Sequence, residues 1–209
     1  MGRIMATDLI AGKYVLMPSA RTYALGVEEL RQASVKRPFT FKENLQARVE
    51  AYESGDYRLF ETWLNSCTGI VYKAGTTRFK IIPSCAELIG INKDFSHSFL
   101  PVEYDTIAGV ELDSSKGKYN HLLTKAEVLE HPAWLASVEG DRTLLSAYTD
   151  IVFKAYASKH RSRDESSGFY VKKNTPADEL RDVFVHDLGY DSYADGSNNL
   201  YGDCSFLRR

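Results

Sequence analysis

This sequence has few cysteines, a small net charge and no long apolar run. Each of these three features argues against a class of protein. The 209 residues hold three cysteines, Cys67, Cys85 and Cys204, at no paired spacing, which argues against a disulfide-stabilised scaffold. The 26 basic and 28 acidic residues leave a formal net charge of −2, so no overall field draws in nucleic acid or an anionic membrane. No apolar run approaches the roughly 20 residues of a membrane span, and the first residues lack a signal-peptide pattern. We therefore expect a soluble, cytoplasmic protein with no membrane contact.

The motifs of the common enzyme classes are missing as well. The sequence has no serine in a Gly-x-Ser-x-Gly elbow, no Walker loop and no glycine-rich dinucleotide fingerprint. Their absence removes the commonest nucleotide-binding and hydrolase functions, and no cofactor is predicted. Enzymes whose catalytic residues are dispersed along the chain stay open as an alternative.

The strongest positive signal is a helix predicted from Asp141 to Tyr156. Asp141 is the expected N-cap because its carboxylate can accept from the free N–H groups of the first turn. With 44% hydrophobic content, the chain can bury an apolar stripe in a core without disulfides or a structural metal. The apolar residues of this helix recur at three- and four-residue intervals: Leu144, Leu145, Tyr148, Ile151, Val152, Ala155 and Tyr156. We expect this helix to be central to the fold.

Capping signals predict further helix starts. Thr40 with Glu43 and Thr124 with Glu127 have capping-box spacing, in which each side chain bonds the backbone N–H of the other residue. Pro132 should interrupt the helix that begins at Thr124, because proline has no N–H to donate. Asp56 is predicted to cap another helix. The residues expected on the inner face of that helix are Leu59, Phe60, Trp63 and Leu64.

Two segments rich in β-branched and aromatic residues predict a β-hairpin. They are Gly69–Lys73 and Arg78–Ile82, and a glycine-containing turn joins them. A further strand is predicted at Lys13–Met17, at the edge of a sheet because it is short. Together these patterns predict an α+β fold, with helices packed on a small, mostly antiparallel sheet.

A polar stretch from Lys159 to Gly168 has the composition of a linker. We therefore predict a main α+β domain at residues 1–160 and a C-terminal strand-helix extension at residues 161–209. The strand is expected at Phe169–Lys172, and the helix is expected to start at Thr175-Pro176. The apolar face of that helix would consist of Leu180, Val183, Phe184 and Leu188.

This extension is too short to be stable alone, so it should dock on the main body or on a partner. The tail after it contains Tyr190, Tyr193 and Tyr201, and tyrosine is favoured at contact surfaces because its ring buries apolar area while its hydroxyl finds a partner. We therefore expect a contact surface for a protein partner or for a second copy of the chain.

Candidate catalytic residues lie at two helix ends. Ser84 and Glu87 have capping-box spacing and would place Cys85 in the first turn of a short helix, where amide dipoles can lower the pKa of a thiol. Glu127, Glu130 and His131 cluster at the end of another helix, but their spacing is not that of a zinc protease or a di-iron site. The alternatives are a buried, unreactive cysteine and a solvated charged face.

A candidate binding segment interleaves cations with aromatic rings ahead of a helix. Cations can meet phosphates and rings can stack on bases, and the segment comprises Lys36, Arg37, Phe39, Phe41 and Lys42. The alternative is that Phe39 packs toward the helix while the cations are solvated, so nucleic-acid binding is not the favoured function. Asp191 and Asp195 precede Gly196 as in a calcium loop, but Tyr193 and Gly202 replace required ligands, so a turn is favoured and no metal is predicted.

No catalytic constellation can be assembled from neighbouring residues of the sequence. The favoured function is therefore a non-catalytic intracellular binding or interaction protein. One alternative is an enzyme with dispersed residues, with Cys85, His131, Glu127 and Glu130 as candidates. The other is a nucleic-acid or phosphate-binding module that uses Lys36 to Lys42.

Overall fold

The computed structural model describes residues 9–159, 164–187, 192–197, 199–200 and 204–209. The helices are α1 Tyr23–Gln32, α2 Phe41–Glu53, α3 Ala86–Ile89, α4 Lys125–Glu130, α5 Pro132–Ser137 and α6 Arg142–Lys159. The strands of the first 130 residues are β1 Leu9–Ile10, β2 Tyr14–Ala20, β3 Gly69–Tyr72, β4 Arg78–Ile82, β5 Leu100–Pro101, β6 Val110–Asp113 and β7 Leu123–Thr124. The later strands are β8 Glu165–Ser166, β9 Phe169–Tyr170, β10 Glu179–Asp182, β11 Phe184–Val185, β12 Ala194–Asp195 and β13 Cys204–Arg208.

The largest sheet has five strands in the order β5-β10-β3-β4-β6, and all of its pairings are antiparallel. The predicted hairpin of β3 and β4 is present, and the sheet extends beyond it on both sides. Smaller sheets join β1-β2-β13, β11-β12-β9 and β7-β8, and the pairing of β12 with β9 is parallel. The predicted α+β fold with a mostly antiparallel sheet is confirmed.

Helix α6 lies in the core as predicted. Asp141 accepts a hydrogen bond from the N–H of Leu144 at 3.0 Å, which caps the first turn. Tyr148 and Val152 are fully buried, and the helix packs on α2 and α4. The described part of the apolar stripe therefore faces the core, and the charged residues Arg142, Asp150 and Lys154 are exposed.

Both threonine capping boxes are present. Thr40 and Glu43 bond each other's backbone N–H at the start of α2, and Thr124 and Glu127 do so at the start of α4. The interruption predicted at Pro132 is present, because α4 ends at Glu130 and Pro132 is the first residue of α5. These helix starts depend on contacts within four residues, so local sequence is sufficient to specify them.

Two other helix starts differ from their predictions. Asp56 accepts from the N–H of Arg58 at 3.2 Å, but only a 3-10 turn over Arg58–Glu61 follows. The chain extends after it because the backbone of Leu64 exchanges hydrogen bonds with Val185 at 3.1 Å. The short helix predicted near Ser84 is present as α3, which ends at Ile89 before Gly90, but Ser84 forms no capping box, because the helix begins after Cys85 and has no side-chain cap.

The predicted C-terminal helix is wrong, because residues 179–182 form strand β10 and residues 184–185 form strand β11, while Leu188 lies outside the described residues. Leu180, Val183 and Phe184 are buried, as the pattern requires, but β10 is covered on both edges by β3 and β5. A short run of apolar residues that includes valines is compatible with a helix or with a strand. Here the pairing with β3 and β5 favours the strand. The structure therefore shows strands where the sequence predicts a helix, and the division at residue 160 stays a prediction.

Strand β2 also differs from its prediction. It is the middle strand of the β1-β2-β13 sheet, whereas the sequence places it at an edge. Its second partner is β13, which is about 190 residues later in the chain. None of the helices that the structure describes has the length and apolar character that a membrane crossing requires.

Candidate functional site

Five ring side chains form a continuous group around His186, which we call the aromatic cluster. The centroid of the His186 ring lies 3.9 Å from that of Tyr193, 4.7 Å from that of Phe184 and 4.9 Å from that of Trp63. Tyr170 joins through Tyr193, at 4.5 Å between centroids. Three of these four distances lie in the range of favourable ring pairs, about 4.5 to 7 Å, and the fourth is shorter, so the rings are in direct contact.

Two carboxylates border the aromatic cluster. Trp63 donates its indole N–H to Oδ2 of Asp187 at 2.6 Å, and this tryptophan is 40% exposed. Oδ2 of Asp195 lies 3.9 Å from Nε2 of His186. The surface therefore combines an exposed ring with negative charge.

Strand pairing explains how distant residues reach this surface. The β11-β12-β9 sheet sets Phe184 opposite Asp195 and places Asp195 beside Tyr170. The backbone bridge between Leu64 and Val185 brings Trp63 next to this sheet. The cluster is consequently assembled by tertiary pairing and not by any local motif.

Arg48 of α2 is a buried residue that bonds the backbone of the segments carrying the aromatic cluster. It is fully buried, and its guanidinium donates to the backbone oxygen of Thr62 at 2.7 Å and to that of His186 at 2.8 Å. It also donates to Oγ of Ser192 at 3.0 Å and to the hydroxyl of Tyr148 at 3.2 Å. Burial lowers the pKa of Arg48. One buried side chain thus connects the three chain segments that carry Trp63, His186 and Tyr193.

Asp182, at the end of β10, is a second buried charge-bearing group of this region. Its Oδ2 accepts from Nδ2 of Asn65 at 2.8 Å, and the residue is 1% exposed. Burial raises the pKa of Asp182 to about 7, and the charge of Asp195 adds to this effect. Hydrogen bonding from Asn65 and the charge of Arg181 oppose the rise without cancelling it.

Cys85 is buried and precedes the short helix α3. Its Sγ lies 3.1 Å from Oε2 of Glu87. Burial raises the pKa of this thiol to about 12, and the Glu87 carboxylate contributes in the same direction. A Cβ atom on Gly69 would approach Sγ of Cys85 to 3.0 Å, so the sheet packs closely on the cysteine. These surroundings do not activate a nucleophile.

The other catalytic candidates have structural contacts of their own. His131 is 5% exposed, lies against Tyr119 at 4.7 Å between centroids, and has its Nε2 3.0 Å from the backbone oxygen of Lys118. Glu127 caps α4 and pairs with Lys118, and Glu130 pairs with Arg142 at 2.6 Å. Cys85 packs in a core cluster with Leu88, whereas His131 stacks on Phe169, which belongs to a second core cluster, so the structure does not bring these two catalytic candidates together.

The candidate binding segment, Lys36 to Lys42, mostly contacts other residues of the chain. Arg37 forms a two-point pair with the carboxylate of Glu43, at 2.7 and 2.9 Å, and Lys42 lies 3.3 Å from Asp141. Phe41 is fully buried, and half-buried Phe39 packs on Tyr14, while Lys36 is exposed. The buried ring of Phe41 cannot stack on a base, which weakens the nucleic-acid alternative.

The predicted aspartate turn lies partly outside the described residues, because Asp191 and Gly202 fall there. Within the described part, Oδ1 of Asp195 accepts from the N–H of Ser197 at 2.6 Å and from its hydroxyl at 2.7 Å. Such bonds are typical of an Asx turn. Among the residues whose placement is described, no group of three or more His, Cys, Asp or Glu side chains could hold a metal ion.

Sequence reasoning missed most of the aromatic cluster. Trp63 was expected on the inner face of a helix, but no helix forms there and the ring is exposed. The tyrosine-rich tail was the useful signal, and Tyr193 belongs to it. Tyr170 and His186 carried no sequence signal because their role depends on strand pairing between distant segments.

Comparison with known proteins identifies the fold but no family. Neither a protein family model nor a curated protein sequence matches the chain. A solved structure described as "Accommodation of massive sequence variation in Nanoarchaeota by the C-type lectin fold" is similar, with a TM-score of 0.72 and 15% identity. The match covers 95% of this chain and 99% of that chain. At this identity the likeness shows the fold alone.

Proposed function

Starting from the C-type lectin fold, we propose that this protein is a non-catalytic binding protein that contacts a protein partner. Its contact surface is the exposed Trp63 ring with the partly exposed residues Tyr170, Tyr193, Asp187 and Asp195, whereas Phe184 and His186 of the aromatic cluster are buried. The observation that carries the proposal is the exposed Trp63 ring, which is fixed by its 2.6 Å hydrogen bond to Asp187. The intracellular location predicted from the sequence belongs to the same proposal.

A tryptophan held in this way suits an interface. Tryptophan and tyrosine are enriched among the residues that dominate binding energy, because a large ring buries much area with few rotatable bonds. Trp63 loses little freedom on binding, since its ring packs on His186 and its N–H is already bonded. Arg48 holds the backbone on either side of it, so the surface is organised before a partner arrives.

The likeness to the solved structure supports a scaffold role. That structure is described as accommodating massive sequence variation by the C-type lectin fold. We carry this over as part of the proposal: the fold supplies a stable frame, and the residues on its surface decide what is bound. The raised pKa of Cys85 and the ion pairs of Glu127 and Glu130 support binding over catalysis.

The test is selection of a displayed library of random peptides on the purified protein, followed by binding to variants. Peptides selected on the natural chain should bind Trp63→Ala about tenfold or more weakly, because truncating a central ring usually costs more than 1 kcal/mol. Val110→Ala is the matched control, since Val110 is 46% exposed and lies on the edge strand of a different sheet.

Thermal melting establishes that both variants stay folded. Equal binding of the selected peptides to the natural chain and to Trp63→Ala would refute this contact surface. Sedimentation of the natural chain and of Trp63→Ala tests whether the partner is a second copy: a dimer that Trp63→Ala dissociates would identify self-association as the function of this surface.

A further inference from the structure

We propose that the outer edge of β6 binds an extended segment of a partner protein in which basic and apolar residues alternate. The segment would extend the largest sheet by one antiparallel strand. This sheet is different from the one that carries Tyr170 and Phe184, so the inference goes beyond the proposed function. The hydrogen bonding of β6, its exposure and the sequence of β4 support the assignment.

The backbone groups of β6 alternate between those that face β4 and those that face away from it. Ser114 donates its N–H to the backbone oxygen of Thr77 at 2.9 Å, which fixes this alternation. Leu112 therefore faces β4, whereas the N–H and C=O groups of Glu111 and Asp113 are directed outward. In the described part of the chain these outward groups have no hydrogen-bond partner. They are the groups that an added strand would bond.

The two edges of the largest sheet differ in how they are protected. The β5 edge consists of Leu100 and Pro101, and proline has no N–H to donate to another strand. The β6 edge has four residues, with no proline, no lysine and an unbroken register against β4. Val110 is 46% exposed and Glu111 is exposed as well, so another chain can reach this edge. Strand β6 thus keeps an open edge of the kind that proteins usually block.

The two faces of β6 differ in character. Glu111 and Asp113 lie on one face, whereas Val110 and Leu112 lie on the other, because successive residues of a strand alternate. A strand paired with β6 therefore meets a carboxylate at every second residue and an apolar side chain between them. Opposite charges on neighbouring strands stabilise the pairing, and like charges weaken it.

Strand β4 shows which sequence pairs with β6 on its inner edge. Its residues are basic, apolar, basic and apolar in order, and each lies opposite a residue of β6 that is acidic or apolar in the matching way. The pairs are Arg78 with Asp113, Phe79 with Leu112, Lys80 with Glu111 and Ile81 with Val110. The outer edge presents the same four side chains, so a segment that repeats the pattern of β4 fits it.

Glu111 keeps acceptor capacity for such a segment. One of its oxygens accepts from Arg78 and the other accepts from the hydroxyl of Tyr104. A carboxylate has about four acceptor positions, and the side chain of Glu111 is 41% exposed, so a further donor can approach. A basic residue opposite Glu111 therefore adds a charge contact, while the outward backbone groups supply the hydrogen bonds.

A short peptide of alternating lysine and valine, with blocked ends and a fluorescent label, is the probe. Its binding to the full chain is measured by fluorescence polarisation, with an expected dissociation constant on the order of 0.1 mM. The same peptide with glutamate in place of lysine should bind about tenfold or more weakly, because it places like charges opposite Glu111 and Asp113.

Methylation of the peptide's backbone nitrogens tests the direction of the hydrogen bonds. The lysines lie opposite Glu111 and Asp113, so their N–H groups face β6, and methylating them should weaken binding about tenfold or more. The N–H groups of the valines face away from β6, so methylating those should leave binding unchanged.

A protein variant removes the matching donor. Glu111→Pro deletes the outward N–H of Glu111 and preserves the pairing with β4, because that N–H does not donate to β4. It should weaken binding of the lysine peptide about tenfold or more. Glu111→Gln is the matched control: it keeps the N–H, loses only the charge and should weaken binding about threefold or less. Thermal melting establishes that both variants are folded.

Amide hydrogen exchange of the natural chain gives the same information without a substitution. Saturating lysine peptide should slow exchange at Glu111 and Asp113 about tenfold or more, because their N–H groups become bonded. Leu112 already donates to β4 and should change much less.

The outcomes decide between this edge and other sites. Equal binding of the lysine and glutamate peptides, equal effects of methylation at lysine and valine, or unchanged exchange at Glu111 and Asp113 would each overturn the inference. A dimer in sedimentation that Glu111→Pro dissociates would overturn the partner segment in favour of a second copy of the chain. Trp63→Ala should leave binding of the lysine peptide unchanged, and a loss of binding there would place the peptide on the surface of the proposed function instead.

Discussion

Replacement of Asp182 by asparagine should stabilise the protein at neutral and alkaline pH. Asp182 is 1% exposed, and in the described part of the chain its Oδ1 has no hydrogen-bond partner. Its ionised form is therefore poorly solvated. An asparagine has the same shape, keeps an oxygen for the Asn65 donor and carries no charge.

The magnitude follows from the pKa of Asp182. Burial raises this pKa from 3.8 to about 7. At low pH the carboxyl is neutral in the folded and the unfolded chain. As the pH rises from about 4, the unfolded chain loses this proton first, so the stability of the folded state decreases until the pH passes about 7. The difference between the two pKa values corresponds to about 4 kcal/mol at pH 8, as an order of magnitude.

Urea denaturation at pH 5 and at pH 8 measures this effect. The free energy of unfolding of Asp182→Asn, minus that of the natural chain, should grow by about 2 to 4 kcal/mol between these pH values. Taking the difference cancels other titrating groups that the two proteins share. Asp94→Asn, at an exposed position, should differ from the natural chain by less than about 0.5 kcal/mol at both pH values. A difference for Asp182→Asn that is independent of pH would refute the reasoning.

Four further predictions concern the groups that support the core and the surface. Burial lowers the pKa of His131 below 6.5, so the unfolded chain gains a proton first as the pH falls. The free energy of unfolding, measured by urea denaturation, should therefore decrease below about pH 6.5, and His131→Phe should remove this part of the decrease. Arg48→Met should lower the free energy of unfolding by about 3 kcal/mol or more, because it leaves buried backbone oxygens unpaired, whereas Tyr148→Phe should cost only about 1 kcal/mol. Cys85 should react with iodoacetamide at pH 7.5 about a hundredfold or more slowly than in the urea-unfolded chain, and equal rates would contradict its burial. A chain ending at residue 160 lacks β10 and β13, so it should bind a hydrophobic dye strongly and should show no cooperative thermal transition. A folded monomer would contradict the prediction that the extension docks on the main body.

Local interactions account for the parts of the fold that the sequence predicts well. The capping boxes of Thr40 and Thr124, the Asp141 cap and the turn of the β3–β4 hairpin each depend on residues close in sequence. The helix predicted after Thr175 is wrong, because the conformation of this segment is determined by strands that are distant in sequence. Residues 179–182 pair with β3 and β5, and a pattern of apolar spacing does not show which partner strands are present.

The candidate site was harder to predict for the same reason. Trp63, Tyr170 and His186 come from three separate segments, and the pairings of Val185 with Leu64 and with Ala194 bring these segments together. The tyrosines of the tail were a compositional signal for a contact surface, and Tyr193 does belong to the cluster. Arg48 gave no signal, because a single arginine in an amphipathic helix normally indicates a solvated face.

The position of β10 between β5 and β3 also affects how the protein is made. The four residues of β3 are all buried, yet one edge of that strand stays unpaired until Glu179–Asp182 have been synthesised. About 100 residues separate the end of β4 from the end of β10, which takes a ribosome roughly 5 to 20 s. During this time the nascent chain exposes an apolar strand edge, a known template for association with other chains. Completion of the sheet therefore waits until Glu179–Asp182 have been synthesised, and the yield of folded protein should depend on protection of the β3–β4 hairpin during translation.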